Sequence, residues 1–477
     1  MKLRPPEKRL GRRRENGSVL IIVLWVAIGL VSIALYFANS MNYELRASDN
    51  RVNGLAAEQA IEGAARYMAY TLQTFATNGA VPDNTQFRCE AVPVGDAKFW
   101  LIGRDLSAVN PTEPVFGLVD EGSKLNLNTV NTNVLSYLPN MTIDFANAIE
   151  DWRGSNGIVS LNYAAFGYVP KNAPFETVDE LRLVYGATSD LLVGEDLNRN
   201  GVLDKSEKDL NGNGQLDPGL LEYTTIYTRE PNFHADGSSL TNVNTFFTSA
   251  AQFRTFLQNA GVSGNVASYL YNDIKGGPNG TPPANPCKGI LDFALRCRNA
   301  GMSSDDFSKI ANNITTADSP STASSSSSGT ADSTGVTYFT NRLNINTASL
   351  DVLTAMFVGL TNTMDEQTAE GAAQTVVTYR QQNPNNLSSV AWLYDALGST
   401  SPILTELARG DYITTKSYQF TADIAAVGAF GRGYRRVKFI FDISEGAPKI
   451  LYRQDLSRLG WALGEKARQN LVAKDTQ

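Results

Sequence analysis

The run from Ser18 to Tyr43, SVLIIVLWVAIGLVSIALYFANSMNY, carries no charged residue, and a basic head, MKLRPPEKRLGRRRENG, abuts it. About 20 apolar residues cross a bilayer core of roughly 30 Å, so the stretch from Ser18 to Ala38 is long enough to span. The head sets Lys2, Arg4, Lys8, Arg9, Arg12, Arg13 and Arg14 against Glu7 and Glu15, a net of +5, and a positive flank stays in the cytoplasm. Everything after Tyr43 is therefore expected to be exported. An ordinary secretory signal ends its shorter apolar run at a small-residue cleavage site, whereas this run passes straight into amphipathic sequence. Ala56, Ala60, Ala64, Met68 and Leu72 recur at every fourth position with Ile61 and Ala65 beside them, while Glu58, Glu62 and Arg66 lie off that stripe. The pattern predicts one helix from Ser18 to about Leu72, roughly 80 Å long, whose outer half offers small residues for close packing.

Period-two patterns stand at two distant places. Lys98 to Gly103 (KFWLIG) and Val115 to Val119 (VFGLV) read as short strands. Near the other end, Tyr418, Phe420, Ala422 and Ile424 alternate with polar residues, the turn VGAFGRG follows, and Val437, Phe439, Phe441 and Ile443 resume the alternation. This is a hairpin, with KILYRQDL from Lys449 as its next neighbour. An isolated hairpin is only marginally stable, so these strands are expected to join the early ones against the long helix. The middle of the chain then becomes an insertion into one small domain. It contains an internal echo: LNLNTVNTNVLSYL from Leu125 and LNINTASLDVLTAM from Leu343 align, with a weaker copy, TNVNTFF, from Thr241. In the two clear copies an extended stretch ends at Asn-Thr and a helix begins, the polar residue serving as N-cap. The insertion is expected to be mostly helical, in two related lobes.

Two loops inside it have metal-ligand spacing. DLNRNGVLDKSE places Asp196, Asn198, Asn200, the Val202 carbonyl, Asp204 and Glu207 where a twelve-residue calcium loop needs oxygen ligands, with Gly201 at the sharp turn. DLNGNGQLDPGL repeats the offsets with Asp209, Asn211, Asn213, Gln215 and Asp217, but Leu220 stands where the closing Glu belongs, and Glu222 is the nearest substitute. The competing account is an Asn/Gly-rich turn cluster without metal. Long flanking helices are absent, so a structural staple suits the loops better than a switch.

Composition narrows the function. The 477-residue chain has a formal charge of −7, and removal of the +5 head leaves about −12. Nucleic-acid binding depends mainly on Lys and Arg neutralising phosphates. The Asn-Thr echo is similar to the opening of helix-hairpin-helix modules, but the hairpin sites LPNM at Leu138 and FVGL at Phe357 lack the paired glycines that expose N–H groups to phosphate. No nucleic acid is expected as a partner. The sole histidine, His234, lies in a loop-like segment, and no catalytic constellation forms around it, so the protein is not expected to be an enzyme. Of three cysteines, Cys287 and Cys297 are spaced to close a short disulfide loop in an oxidising compartment. The Ser/Thr-rich run DSPSTASSSSSGTADS from Asp318 has little to bury.

The junction of Gly17 and Ser18 resembles a type IV prepilin cleavage site. Together with GLVDEGSKLNLNT, IEDWRG, PFETVDELRLVYGA, GEDLNRNGVLD, TIYTREPN, LNINTA, KSYQFTADIAAVG, YRRVKFIFDIS and YRQDLSRLGWALG in that order, it makes the chain resemble the minor pseudopilin K family of type II secretion systems. The resemblance implies an α+β fold: a long N-terminal helix packed on a small antiparallel sheet, pilin-like, with a large mostly helical insertion. Its parts would be a leader over 1–17, a transmembrane and amphipathic helix over 18–75, the first part of the α/β domain over 76–120, the insertion over 121–410 with calcium-type loops at 196–220 and the Ser-rich loop at 318–333, and the rest of the α/β domain over 411–477. It also implies prepilin-peptidase cleavage after Gly17, methylation of the Ser18 amine, and a single-pass inner-membrane protein with a periplasmic body at the tip of the pseudopilus. Implied partners are I-like and J-like minor pseudopilins, with exoprotein cargo and the outer-membrane secretin as further contacts; calcium is the cofactor that the loop spacing itself points to. Major pilins keep a glutamate at the fifth mature position, and here that position is Ile22. A buried carboxylate needs a partner, and a subunit with no neighbour in front has none, so the loss suits a capping place. The rival class is a tip adhesin or DNA-uptake minor pilin with the same leader.

Overall fold

The computed structural model describes residues 16–104, 111–154, 163–164, 166–277, 280–318, 336–361 and 364–473. The first fifteen residues of the expected leader over 1–17, and the expected Ser-rich loop beyond Asp318, lie outside the described residues.

Helix α1 runs Asn16–Phe75, a single 60-residue element of about 90 Å. Its two ends meet different surroundings. From Val19 to Leu55 the large apolar side chains are exposed, Trp25 by 74%, and this segment is long and apolar enough to cross a membrane. From Ala57 onward the stripe Ala57, Ala60, Ile61, Ala64, Ala65, Met68 and Leu72 is buried. The expected single helix is present, and its small residues let the helix axis come close to the sheet.

That sheet is built from β1 (Val92–Val94), β2 (Ala97–Ile102), β3 (Val119–Asp120), β4 (Gln419–Val427), β5 (Arg435–Asp442) and β6 (Lys449–Asp455). The order is β1-β2-β4-β5-β6, all antiparallel, with β3 pairing with the start of β4. Ile424 stands opposite Val437 on one side and Leu101 on the other, so strands from the two ends of the sequence alternate in space. On the front face Phe99, Leu101, Phe420, Ala422, Ile424, Phe439 and Phe441 pack against α1. On the back, Trp100, Ile102, Ala425 and Val427 pack against Ala462 and Leu463. Every residue of β4 is buried, including Thr421 and Asp423 on the back face, because the insertion covers them. The fold is the expected α+β arrangement, a long helix on a small antiparallel sheet with a large helical part.

Everything between β3 and β4 is the insertion, and it holds three related units where the sequence pattern suggests two lobes. In each, the Leu-Asn or Thr-Asn pair forms a two-residue parallel bridge with a Thr-containing pair at the unit's far end: Leu125–Asn126 with Thr224–Thr225, Thr241–Asn242 with Ile314–Thr315, and Leu343–Asn344 with Ile413–Thr414. The buried Asn126, Asn242 and Asn344 each accept, through Oδ1, the N–H two residues ahead, at 2.9, 2.8 and 3.0 Å. The second asparagine then reaches across its unit: Asn128 Nδ2 donates to the Phe175 carbonyl, Asn244 Nδ2 to that of Cys287, and Asn346 Nδ2 to that of Leu387. The Thr241 copy is thus a full member although its flanks diverge. The hydrophobic core is continuous through all three. In the FVGL segment, a Cβ on Gly359 would lie 2.5 Å from Val134 Cα; this glycine lets helix Leu350–Thr361 press against helix Thr132–Ser136.

Asp120 and Glu121, at the point where the chain leaves the sheet, stitch the units to it. Asp120 accepts from Gly122 N at 2.7 Å, Ser417 Oγ at 2.7 Å, Asn344 Nδ2 at 3.0 Å and Thr347 Oγ1. Glu121 accepts from Thr421 Oγ1 of β4 at 2.7 Å, from Thr225 Oγ1 of the first unit and from Lys124. Gly122 must be glycine here, since a Cβ would meet Ser417 Oγ at 2.4 Å. Burial pushes the Asp120 carboxyl above its ordinary range, only partly countered by its donors. At Glu121 burial acts the same way, but Lys124 and the two threonine hydroxyls outweigh it and hold the carboxyl below the ordinary value of 4.5.

Asp120→Ala leaves four donors without an acceptor, at roughly 1–3 kcal/mol for each buried group stranded, so urea unfolding should show a loss of several kcal/mol. Glu121 favours its charged form in the fold, so its stabilisation is present above the ordinary carboxylate range and disappears as pH falls through it. The stability gap between wild type and Glu121→Gln should therefore shrink from neutral pH to below 4.5; a gap that widens in acid contradicts the assignment.

Candidate functional site: paired acidic loops on the back of the sheet

The two acidic loops follow one another between the short helices Ser189–Val193 and Leu220–Tyr223. Their backbones share a conformation that the sequence repeat encodes. The fourth position is left-handed in both, Arg199 at φ 55° and Gly212 at φ 74°, and so is the sixth, Gly201 at φ 80° and Gly214 at φ 72°. The opening aspartates hold the turn closed. Asp196 accepts Asn200 N at 2.9 Å and Gly201 N at 2.8 Å; Asp209 accepts Gly212 N at 2.6 Å and Gly214 N at 2.7 Å. In the first loop the Asn198 and Asn200 amides donate to Asp204 Oδ2 at 2.6 and 3.0 Å. In the second, Asn211 and Asn213 donate to Asp217 Oδ2 at the same 2.6 and 3.0 Å.

The closing carboxylate separates the loops. Glu207 reaches back to the first, accepting Asn198 N and Asp204 N at 3.0 Å each. Glu222 does not serve the second; Arg104 holds it, Nε to Oε1 at 2.7 Å and Nη2 to Oε2 at 3.0 Å. Glu195 takes that place instead, accepting Leu210 N at 2.6 Å and Asp217 N at 3.1 Å. Sequence reasoning missed it because Glu195 precedes both loops, although its adjacency to Asp196 is a visible signal. Each loop thus has its own carboxylate spanning the second or third position and the ninth.

The first loop is buried at Asp196, Asn198, Asn200 and Val202 and anchored there, while the second is exposed along Asn211 to Gly214. Arg436 of β5, fully buried, pairs with Asp423 of β4, Nε to Oδ1 at 2.8 Å and Nη2 to Oδ2 at 2.6 Å. It also donates to the carbonyls of Asn198 and, at 2.8 Å, Arg199. Arg104 adds a bond to the Arg199 carbonyl at 3.2 Å. Asn198 Nδ2 donates to the Trp461 carbonyl at 3.2 Å and Asn200 Nδ2 to that of Ala462 at 3.4 Å. Two arginines and the C-terminal segment therefore clamp the loop to the sheet. No local pattern announces Arg104 or Arg436, since each acts on residues far away in sequence.

The donor set suits a hard cation. Asn198 Oδ1 is buried with no hydrogen-bond partner. Among the described residues no Lys or Arg forms an ion pair with Asp196, Asp204 or Glu207, and burial raises the carboxyl pKa of Asp196, which Arg104 partly offsets, and of Glu207. Val202 is buried with the loop, while Gln215 lies on the exposed second loop with its N–H given to Asn213 Oδ1 at 2.7 Å. Among the described residues no three His, Cys, Asp or Glu side chains gather as a metal cluster, so an ion here would need the asparagine and backbone oxygens as well.

The remaining sequence candidates fall elsewhere. Gly17 and Ser18 lie at the start of α1. Cys89, Cys287 and Cys297 are free thiols; burial pushes Cys287 up to about 12 and Cys297 well above the ordinary thiol range.

No family model matches the chain, and no curated protein matches it. Among solved structures, the chain is similar to the GspK-GspI-GspJ complex from the enterotoxigenic Escherichia coli type 2 secretion system, at 10% identity and a TM-score of 0.38, covering 86% of this chain and 99% of that chain. A likeness this low says nothing about chemistry or partners.

Arg436→Ala strands the Asp423 carboxylate and two loop carbonyls in a buried site, a loss of roughly 3–5 kcal/mol; a fall in melting temperature of less than a degree would contradict the clamp.

Proposed function

We propose that this protein is a minor pseudopilin of the type II secretion kind, seated at the tip of the pseudopilus, and that it is not an enzyme. The observation that carries the reading is the division of α1: an apolar half, exposed from Val19 to Leu55, that continues without a break into a half buried on an antiparallel sheet. An exposed apolar rod of that length is stable only in lipid or among other such rods. The basic head orients it with the body in the periplasm. Prepilin peptidase removes the leader after Gly17, the Ser18 amine is methylated, and α1 packs beside the helices of I-like and J-like minor pseudopilins. Ile22 at the fifth mature position and a broad three-unit insertion both suit a subunit on which nothing is stacked. Exoprotein cargo and the outer-membrane secretin are the surfaces such a cap would meet.

Calcium acts as a structural staple in this reading. Asp196, Asn198, Asn200, the Val202 carbonyl, Asp204 and Glu207 hold one ion, and Asp209, Asn211, Asn213, the Gln215 carbonyl and Asp217, with Glu195 closing, hold a second. The ion supplies charge compensation to carboxylates that burial otherwise penalises. The chain's own residues do the rest: the two aspartates fix the turns, and Arg436 ties the first loop to β5.

Deletion of the gene should leave exoproteins in the periplasm while attachment and DNA uptake continue; the opposite phenotype selects the tip adhesin or DNA-uptake pilin. Mass spectrometry of the membrane-purified protein should find Ser18 as the methylated first residue, and retained Met1 contradicts processing. Calcium should raise the melting temperature by several degrees, with Glu207→Gln abolishing most of the gain and Glu195→Gln a smaller part. An unchanged melting temperature after chelation rejects the staple.

A further inference from the structure

The last part of the chain carries a charge of opposite sign to the rest. From Arg432 onward ten Lys and Arg stand against five Asp and Glu, a net of +5, in a chain that carries about −12 once its basic head is removed. The fold gathers that excess at one end of the body. The turn between β4 and β5 lies on α1 at Asn53, so closely that a Cβ on Gly433 would stand 2.3 Å from the Asn53 carbonyl carbon and one on Gly428 2.6 Å from its oxygen. Arg432, in that turn, pairs with Asp49 at 3.1 Å. The C-terminal helix Gly464–Ala473 reaches the same turn, since a Cβ on Gly431 would lie 3.4 Å from Leu471 Cβ.

That end is the one nearest the bilayer. α1 is continuous, and Asp49 lies about 16 Å along it from Ala38, where the expected hydrocarbon span ends. Headgroups fill roughly the first 5–7 Å of that distance, which leaves about one Debye length at physiological salt. A helix tilt of about 20° narrows the gap further on one side.

Arg435, Arg458 and Arg468 are exposed here, and none forms an ion pair among the described residues. By contrast Arg229, Arg296, Arg298, Arg342 and Arg409, in the insertion, each pair with a carboxylate. The acidic neighbours do not neutralise the end. On α1, Arg46 and Arg51 offset Glu44 and Asp49; Lys466 offsets Glu465, and Lys98 offsets Asp96. Asp455 accepts the Ser457 N–H at 2.8 Å, and Glu113 lies beside Gly464, at the far end of the C-terminal helix from the turn.

We propose that this basic end docks on anionic headgroups of the leaflet from which α1 emerges, through Arg432, Arg435, Arg458 and Arg468, and holds the body against the membrane before assembly. The inference rests on α1 spanning the bilayer, as in the reading above. Each cation near an anionic surface adds to the attraction. The spanning helix already supplies proximity, so a few cations suffice.

The test uses the full chain in lipid nanodiscs of phosphatidylcholine, alone or with one part in three phosphatidylglycerol. Phenylglyoxal labelling read by mass spectrometry should fall at least threefold at Arg432 and Arg468 in the anionic discs and stay level at Arg409, an exposed arginine of the insertion. High salt should restore the labelling, because it screens the attraction. Arg458→Glu combined with Arg468→Glu, at two exposed positions with no ion pair to lose, should restore it at Arg432 in the anionic discs. Equal labelling of Arg432 in the two discs overturns the proposal, as does protection that salt does not release. Protection that appears only when the I-like and J-like subunits are added also overturns it, and marks this end as a protein face. A chain that does not enter the discs contradicts the spanning helix itself, and this inference with it.

Discussion

Two neighbouring carboxylates hold the point where almost 300 residues leave a sheet and come back to it. Asp120 ends β3, and the Ser417 hydroxyl it accepts lies 297 positions further on, immediately before β4. Closing so long an excursion costs only a slowly growing entropy, so the insertion is tolerable provided its two ends are locked together. Asp120 does this with donors from the third unit and the returning chain; Glu121 does it with donors from the first unit and from β4 itself. That lock sets the two ends of the insertion beside a strand that β2 and β5 hold in register from either side.

The same strand explains how the acidic loops become part of the body. β4 is buried on both faces, which for an antiparallel strand requires cover on the side that would otherwise meet water. Its back face carries Asp423, and β5 carries Arg436 beside it. A buried ion pair gains little by itself, because desolvation offsets the attraction. Here the guanidinium has donors to spare, and it gives them to the Asn198 and Arg199 carbonyls. The pair therefore anchors a loop as well as satisfying itself, and the loop in turn holds the Trp461 and Ala462 carbonyls in place. The C-terminal segment, the acidic loop and the sheet form one packed unit behind the helix.

The threefold construction of the insertion comes from a small polar device. An asparagine that binds its own backbone two residues on competes with regular structure, and each unit uses this to stop a short bridge and turn into a helix. A second asparagine then crosses to the far side of the unit, closing it with side-chain bonds where a sheet would use a ladder. The device needs only four residues, so flanking sequence is free to diverge, and this is why the Thr241 copy is faint in sequence beside the other two.

The long helix, the paired strands from opposite ends of the chain, the helical insertion and the spacing of both acidic loops were legible in the residues alone. Each depends on local periodicity or on fixed offsets, such as the every-fourth alanines of α1, the alternation of Phe420 to Ile424, and Asp196 to Glu207. Individual side-chain contacts between distant residues were not legible. The number of units, the substitution of Glu195 for Glu222, the arginine clamp on the first loop, and the buried polar face of β4 were decided only when segments hundreds of residues apart came together. A carboxylate or an arginine reads the same in sequence whether it meets solvent or a carbonyl. Burial chooses between those outcomes, and burial is a property of the assembled fold.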